Sequence, residues 1–598
     1  MNSYKAPLND LSFIFNHLLD QNQLAQLPGL EDLGVDLYES ILDEAGKFAS
    51  NVLDPINASG DREGLKIQDG VVTTPKGFKE AYAQYTQAGW NNISLDPEFG
   101  GQGLPYILST AVNEIMMSAN KSFVMCSGLT IGAIEAISHA GSDELKQKYL
   151  PKLVSGEWGG TMNLTEPGAG SDVGALKTKA IDQGDGTYRI HGQKIFITFG
   201  EHDFTDNIIH LVLARLPDAP EGVRGISLFL VPKFLVNADG SLGERNDVRC
   251  VSIEHKLGIH ASPTCVMAYG DNEGALGYLI GEKNKGLAAM FVMMNMARLT
   301  VGMEGVALTE RSYQAALDYA RERVQGADVE TGKPVAIIEH ADVRRQLLTM
   351  KSNVEAMRAL SLFIAQAQDI SFRHTDAAVR AHNQGLVDLL IPVFKAWATE
   401  TALRTTTTGI QVHGGLGFIE ETGVAQYLRD AVISVIYEGT TAIQAADLVG
   451  RKLVKDQGRN LAVLMGLMKD TLAQAQAQAQ PELADIASEF ANALDLLADH
   501  SQSIAQQFTQ STKQALSVSV PYLMLTGYVV GAWQLAQSAV KAAELLVAGD
   551  SNQNFLKGKI QTARFYHSMV LPEIQGLAYS VKHAGSAVTA FDNAYFGE

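Results

Sequence analysis

The chain reads as mainly α-helical, with one small all-β domain set between helical ones. Three observations carry that reading. Apolar residues recur at helical spacing from about 36 to 158, and again after Gly281 to the end. Between about 159 and 275 the texture changes to short alternating runs, rich in β-branched residues and separated by turn signals. A length of 598 residues is more than one core can hold, so about two to four packing units are expected.

Residues 1–35 form a short N-terminal extension, polar at first and then carrying Leu11, Phe13, Ile14, Leu18 and Leu19 at helical spacing. A helical N-terminal domain follows over 36–158. Leu37, Ile41, Leu42 and Ala45 begin its pattern, and Pro97-Glu98-Phe99-Gly100-Gly101-Gln102-Gly103 breaks it, as clusters of Gly and Pro do. Over 159–275 the runs 187–192, 194–198, 208–214 and 226–231 predict the strands of a middle domain. Long helices are expected around 286–324, 341–370, 386–412 and 440–456, within a domain spanning 276–459. The alternating Ala and Gln of 473–480, ahead of Pro481, mark a helix end or a hinge and set off a final helical domain, 460–598.

With 46% hydrophobic and 19% charged residues the chain can bury a substantial core. Its net charge of -19 argues against a nucleic-acid partner, whose phosphates need clustered Lys and Arg. The last domain is no exception, with seven basic against eleven acidic side chains after residue 460. Cys126, Cys250 and Cys265 are an odd number without a CxxC pair, which argues against a disulfide framework and a structural zinc. His255 and His260 lack a carboxylate or thiolate at ligand spacing, so no metal is expected. No Gly-x-Ser-x-Gly elbow points to a hydrolase. The first ten residues lack the apolar core and cleavage site of a secretory signal, and the expected location is the reducing cytoplasm.

One stretch invites a membrane reading. No residue between Lys513 and Lys541 is charged, and Gly527 with Gly531 forms a GxxxG. Yet Ser517, Ser519, Thr526, Gln534 and Gln537 interrupt it, and Pro521 suits the first turn of a helix. A buried helix of a soluble bundle is favoured over association with a membrane surface.

Four separated motifs carry the chemistry. They are Thr165-Glu166-Pro167-Gly168-Ala169-Gly170-Ser171-Asp172, then Lys194-Ile195-Phe196-Ile197-Thr198, then Gln411-Val412-His413-Gly414-Gly415, and Arg429-Asp430 leading into Ile436-Tyr437-Glu438-Gly439-Thr440. Glu438, between an aromatic ring and a glycine, is a carboxylate open to partial desolvation and a candidate general base. In this order, over roughly residues 36–455, the chain resembles the acyl-CoA dehydrogenases. The resemblance implies a helical N-domain, a central β-barrel and a four-helix bundle, here with an additional C-terminal helical domain. It implies FAD as cofactor and conversion of an acyl-CoA to the trans-2-enoyl-CoA: a base removes the α-proton while the β-hydride passes to the flavin on the other side of the Cα–Cβ bond.

By resemblance Glu438 is that base. Enclosure by an apolar acyl chain would raise it from the ordinary ~4.3 towards the ~6–7 of a tuned base. Its backbone N–H is an expected donor to the thioester oxygen, and the alternative for Glu438 is capping of a helix that starts near Thr440. The implied FAD contacts are Leu164, Thr165, Gly170, Ser171, Phe196, Thr198, Arg323, Gln411, Gly414, Gly415 and Thr440. Thr165 resembles the residue at the pyrimidine edge, Ser171 one near the pyrophosphate, and Thr198 the hydroxyl near N5. Arg323, Gln411 and Gly415 resemble residues that reach the cofactor of a neighbouring subunit, which implies a homodimer. Phe196 stands where many members carry Trp, and an aromatic of the barrel core is its alternative. A surface i,i+4 ion pair is the alternative for Arg323.

Ser171, Phe123, Val124, Ser127, Arg298, Tyr437 and Gly439 are the implied substrate contacts, with Phe123, Val124 and Ser127 at the pocket floor. Some members place their base where this chain has Ala297, which cannot abstract a proton. Ala442 stands where several relatives have Gln, one cofactor contact fewer. Tyr4 to Asp10, Phe13 and the extra C-terminal region resemble the larger bacterial branch that includes methylmercaptopropionyl-CoA and fatty acyl-CoA dehydrogenases. Medium to long straight chains in fatty-acid β-oxidation are the expectation, with 3-(methylthio)propionyl-CoA as the alternative and an electron-transfer flavoprotein as acceptor. An acyl-CoA oxidase, a DNA-binding relative without activity and a silent scaffold are the other readings.

Overall fold

The middle of the chain is a closed β-barrel, flanked in sequence by helices. The computed structural model describes residues 3–31 and 33–597; at 291–293 and 295 it describes the backbone alone. The chain divides into two compact units, residues 44–300 and residues 1–43 with 301–598. The boundaries read from sequence at 158 and 275 therefore fall inside one unit, and the extension 1–35 belongs to the unit that holds the C-terminal helices.

In unit 44–300 the hairpin β1 (Lys66–Gln68) and β2 (Val71–Thr73) interrupts the helical N-terminal region. Sequence periodicity passes over it because three-residue strands are too short to alternate. The long helix Tyr106–Ala140 contains one non-helical residue, Asn120, at φ −157° and ψ 88°. Its amide donates to the Leu53 carbonyl at 3.3 Å, and its side-chain oxygen accepts from Phe123 N–H at 3.1 Å, so Asn120 caps a second helical run begun inside the first. Among the described residues this is the one helix with the length and apolar content of a membrane span, and 61% of its most apolar window is buried within the protein.

The all-β region contains β3 (Trp158–Asn163), β4 (Lys179–Asp182), β5 (Thr187–Thr198), β6 (Asn207–Arg215), β7 (Ile226–Pro232), β8 (Phe234–Val236), β9 (Leu242–Arg245), β10 (Val248–Ile253), β11 (Thr264–Tyr269) and β12 (Ala275–Ile280). Strands run in the order β10-β11-β5-β12-β7-β6-β3, and β4 bridges β5 and β6, closing a ring. β8 and β9 form a separate hairpin beside it. The two runs 187–192 and 194–198 are one strand, β5, carrying a bulge where Cys265 faces Ile197 but Met267 faces Lys194. β6 and β7 are buried along their whole length apart from Arg215. Val212, Ala214, Phe229 and Val231 point into the barrel, and Ile209, Leu211, Leu228 and Leu230 face the helical layer through Ile137, Tyr149 and Leu153. That double burial explains their continuous apolar texture.

In the other unit, Gly286–Glu322, Ala341–Arg373 and Ala377–His413 are the long helices, the first of which crosses the unit boundary. Thr441–Asp447 continues into a π-helical stretch, Leu448–Lys455. The Ala/Gln tract ends the helix Arg459–Gln476, and Pro481 opens the next, Pro481–Gln510. The uncharged stretch forms Ser519–Val547, buried on most of its surface. Its GxxxG is a packing notch: a Cβ on Gly527 would stand 2.3 Å from Trp397 Cγ, and one on Gly531 2.7 Å from Trp397 Cη2. The N-terminal helix Leu8–His17 buries Leu11, Phe13, Ile14 and Phe15 in this unit.

Candidate active site

The residues singled out by sequence are divided between the two units. In unit 44–300 the motif 165–172 leaves the end of β3 and is laid along β5, with Ile195 N–H donating to the Thr165 carbonyl at 2.9 Å. Glu166 and Ala169 exchange backbone hydrogen bonds of 3.0 Å, which folds the motif into a tight turn. The Glu166 carboxylate accepts from Lys177 N–H at 2.6 Å, from Thr178 N–H at 3.1 Å and hydroxyl at 2.5 Å, and from Lys194 Nζ at 2.8 Å. Lys194 Nζ also donates to the Leu164 carbonyl at 3.0 Å. Burial raises the Glu166 carboxyl, but the Lys194 ammonium and these hydrogen bonds outweigh it and hold it below the usual carboxylate range. Burial pulls Lys194 down to about 8 against the attraction of Glu166.

This buried pair holds the backbone at Leu164, and Gly170 and Ser171 are left exposed. A Cβ on Gly168 or Gly170 would meet nothing within 4 Å, so the turn presents an open backbone face. Phe196 sits on the bulge at φ +61°, and the residue is 58% exposed. It is not part of the barrel core, which removes that alternative. Thr198 ends the same strand, opposite Thr264. Thr165, Phe196 and Thr198 thus lie together on one edge of the barrel.

Phe123, Val124 and Ser127 are buried in the second half of the kinked helix. The Phe123 ring packs with Phe78, Tyr82, Tyr85 and Phe204 at centroid distances of 5.6–6.4 Å. Ser127 Oγ and Tyr85 OH share a 3.3 Å hydrogen bond, and burial pushes the Tyr85 hydroxyl up to about 12. Rings thus surround Phe123, and one of them, Tyr85, also reaches Ser127. Arg298 is buried on the helix Gly286–Glu322.

In the other unit Glu438 is half-buried at φ +54°, followed by Gly439 at φ +93°. A left-handed conformation costs a non-glycine residue about 1–2 kcal/mol, so the surroundings must over-determine this loop. They do so with three buried side chains. Lys395 Nζ donates to the carbonyls of Ser434 and Gly439, each at 2.8 Å. The Glu304 carboxylate accepts from Ser434 Oγ at 2.6 Å and from the Tyr437 hydroxyl at 2.6 Å. Gln444 Nε2 donates to the carbonyls of Glu438 at 3.1 Å and Gly439 at 3.3 Å. The helix Thr441–Asp447 is capped by Thr440, whose hydroxyl accepts from Ile443 N–H at 3.3 Å. The capping alternative for Glu438 is therefore wrong, because Thr440 does that work.

Arg323 follows the end of the helix Gly286–Glu322, and its guanidinium reaches Gln325 Oε1 at 3.4 Å. That partner is an amide and not a carboxylate, against the ion-pair alternative. Gln411 lies in the last turn of Ala377–His413, and Gly414 terminates that helix at φ +60°. Tyr319 stacks on His413 with centroids 4.6 Å apart, bringing Arg323 and the Gln411–Gly415 segment to the same end of the bundle. Gln411 and Lys395 are separated along one helix by 16 residues, about 24 Å at 1.5 Å per residue. Within one chain this group does not gather round Glu438.

Glu304, Lys395 and Gln444 were not singled out by the sequence reading. A signal existed for two of them: each is a lone charge inside an apolar helical run, Lys395 within Leu389 to Trp397 and Glu304 within Leu299 to Leu308. Such a charge is buried with its helix and must find partners there.

Comparison with known proteins gives the same assignment along the whole chain. Residues 36–157, 161–271 and 284–453 match the N-terminal, middle and C-terminal domains of acyl-CoA dehydrogenase, and 464–592 match an acetyl-CoA dehydrogenase C-terminal-like domain. A 3-methylmercaptopropionyl-CoA dehydrogenase of Ruegeria pomeroyi is 47% identical over 96% of both chains. A butyryl-CoA dehydrogenase of Syntrophomonas wolfei is 39% identical over 98% of both. The crystal structure of Caenorhabditis elegans ACDH-11 in complex with C11-CoA, 21% identical, shares the fold over 99% of this chain and 96% of that one, with a TM-score of 0.78. Motif order, architecture and full-length identity agree: the chain belongs to the acyl-CoA dehydrogenase family, flavin-dependent oxidoreductases of CH–CH bonds whose cofactor is FAD.

Proposed function

We propose that the protein dehydrogenates a short, linear acyl-CoA thioester to the trans-2-enoyl-CoA, with Glu438 as the base. The observation that carries the assignment is the loop itself: Glu438 is held in a left-handed conformation and leaves the cap of the next helix to Thr440. A Glu438 carboxylate oxygen takes the α-proton. The thioester carbonyl gains negative charge as that proton leaves, and the Glu438 N–H is the donor assigned to it.

The residues present fit FAD. Phe196 offers an exposed apolar ring beside Thr165 and Thr198, and the turn at Gly168 and Gly170 has no Cβ to bar a bulky diphosphate. Thr165, Ser171 and Thr198 would hold it from unit 44–300. Arg323, Gln411 and Gly415 are assigned to the cofactor of a second copy, which makes the working form a homodimer. When bound, FAD supplies the acceptor for the β-hydride.

For the acyl group we favour a short chain over the medium to long one expected from sequence. The ring cluster around Phe123 supports this, because it fills the place assigned to the pocket floor. The names of the two relatives, built on methylmercaptopropionyl and butyryl, support it too. 3-(Methylthio)propionyl-CoA is the leading candidate within that class. An electron-transfer flavoprotein as acceptor, a role in β-oxidation and a cytoplasmic location complete the proposal; three buried, unpaired cysteines are compatible with a reducing compartment. Anaerobic titration of the FAD-loaded protein with a CoA-ester series, followed by flavin absorbance, tests it. Fastest bleaching by butyryl- or 3-(methylthio)propionyl-CoA is expected, and a clear preference for chains of about twelve carbons or more would overturn it.

A further inference from the structure

We propose that Lys395 and Glu304 are positioning residues that lock the base loop from two sides and so fix the direction of the Glu438 side chain. The inference rests on the reading of Glu438 as the base. Lys395, fully buried on Ala377–His413, ties the two ends of the loop together through the carbonyls of Ser434 and Gly439. Glu304, 3% exposed on Gly286–Glu322, holds two side chains of the same loop, Ser434 and Tyr437. The two charges meet on Ser434, one at its carbonyl and the other at its hydroxyl.

Both groups act on residues that bracket Glu438 in the chain. Tyr437, held through its hydroxyl, is its immediate predecessor and Gly439, held through its carbonyl, its immediate successor, so the residues on both sides of Glu438 are anchored. Two consecutive residues at positive φ would relax towards extended or right-handed conformations if either anchor were lost. That relaxation turns the carboxylate and the N–H of residue 438 away together. A buried lysine that spans a loop by two carbonyl contacts has a geometric task. Glu304 has one as well, since its acceptor oxygens are used by hydroxyls of the loop.

The test uses the FAD-loaded enzyme and five variants: Lys395→Met, Glu304→Leu, Glu304→Gln, Tyr437→Phe and, as reference, Glu438→Gln. Lys395→Met and Glu304→Leu should lower kcat by about 10²-fold, the cost of a small misplacement of a reacting group, with KM within about twofold and FAD content unchanged. Glu304→Gln keeps a carbonyl acceptor and should recover much of the loss. Tyr437→Phe removes one hydroxyl and should show a smaller decrease of the same kind. Amide hydrogen exchange at 434–439 should rise about tenfold or more in Lys395→Met, while the rest of Ala377–His413 is unchanged. Wild-type kcat in Lys395→Met and Glu304→Leu, beside an inactive Glu438→Gln, overturns the clamp and leaves the base in place. Losses that follow FAD content or global unfolding also overturn it. An active Glu438→Gln removes the reading on which it rests.

Discussion

Lys559, close to the end of the chain, is ion-paired with Asp10, close to its beginning. Asp10 also accepts from Arg358 at 2.6 Å, Arg358 reaches Glu310 at 2.6 Å, and Lys559 reaches Glu355 at 3.0 Å, where Lys351 pairs as well. Three carboxylates thus balance three cations inside one unit, and the N-terminal helix is fastened to a helix of the C-terminal domain. The extension is a structural part of the unit.

Asp10→Ala should therefore be costly, because it leaves Lys559 and Arg358 buried with one carboxylate fewer. Breaking one member of a buried pair costs about 3–5 kcal/mol, and urea denaturation followed by circular dichroism would register it. The double change Asp10→Ala with Lys559→Met should lose less than the sum of the single changes, since the stranded cation is then gone. An unchanged denaturation midpoint in Asp10→Ala would show that the clasp contributes nothing.

Glu438→Gln preserves shape and one acceptor oxygen but has no basic oxygen to take a proton. It should bind FAD as the wild type does and slow reduction by substrate about 10²–10⁴-fold, the usual contribution of a positioned base. Stopped-flow bleaching of the flavin under anaerobic conditions measures this. A near-normal rate would dismiss Glu438.

How much of this was legible in the sequence varies with the physical signal. The alternation between helical and extended texture is imposed by burial on one side or two, and it marked the barrel and the long helices. Gly527 and Gly531 announced a close contact, though only coordinates name Trp397 as the partner. The hairpin 66–73 left no periodic trace, and Asn120 looks like any polar residue of a helix until its carbonyl is seen to cap Phe123. Glu438, Phe196 and Thr198 were singled out by motif order. What motif order cannot convey is the left-handed backbone at Phe196 and Glu438, because that conformation depends on partners distant in the chain.

Glu166 makes a pH prediction with a definite sign. Its carboxyl is depressed in the folded state, so it contributes stability that is fully present above the ordinary glutamate value of ~4.3 and is lost as pH falls through the depressed value. Below ~4.3 the wild type should therefore lose stability more steeply than Glu166→Gln. At pH 7 the variant, with Lys194 stripped of its buried partner, should be the less stable of the two. Denaturation curves at neutral and acid pH separate these outcomes, and parallel pH profiles would show that the pair does not hold the turn.

The packing of Ser519–Val547 on Ala377–His413 makes a prediction about the additional domain. Trp397 is fully buried, only two residues beyond Lys395, and its ring lies where a side chain on Gly527 would go. Neither backbone can retreat without disturbing the helix that carries Lys395, so Gly527→Val should destabilise by about 1–3 kcal/mol or more, as overpacking does. Trp397→Leu opens a cavity and should destabilise on its own. Combined, the two changes compensate: the valine enters the space the indole vacated, and the double variant should be more stable than the sum of the single losses predicts. A neutral Gly527→Val would mean that the extra domain does not bear on the bundle at this notch, whereas strong coupling would make it a structural support of the helix behind the base.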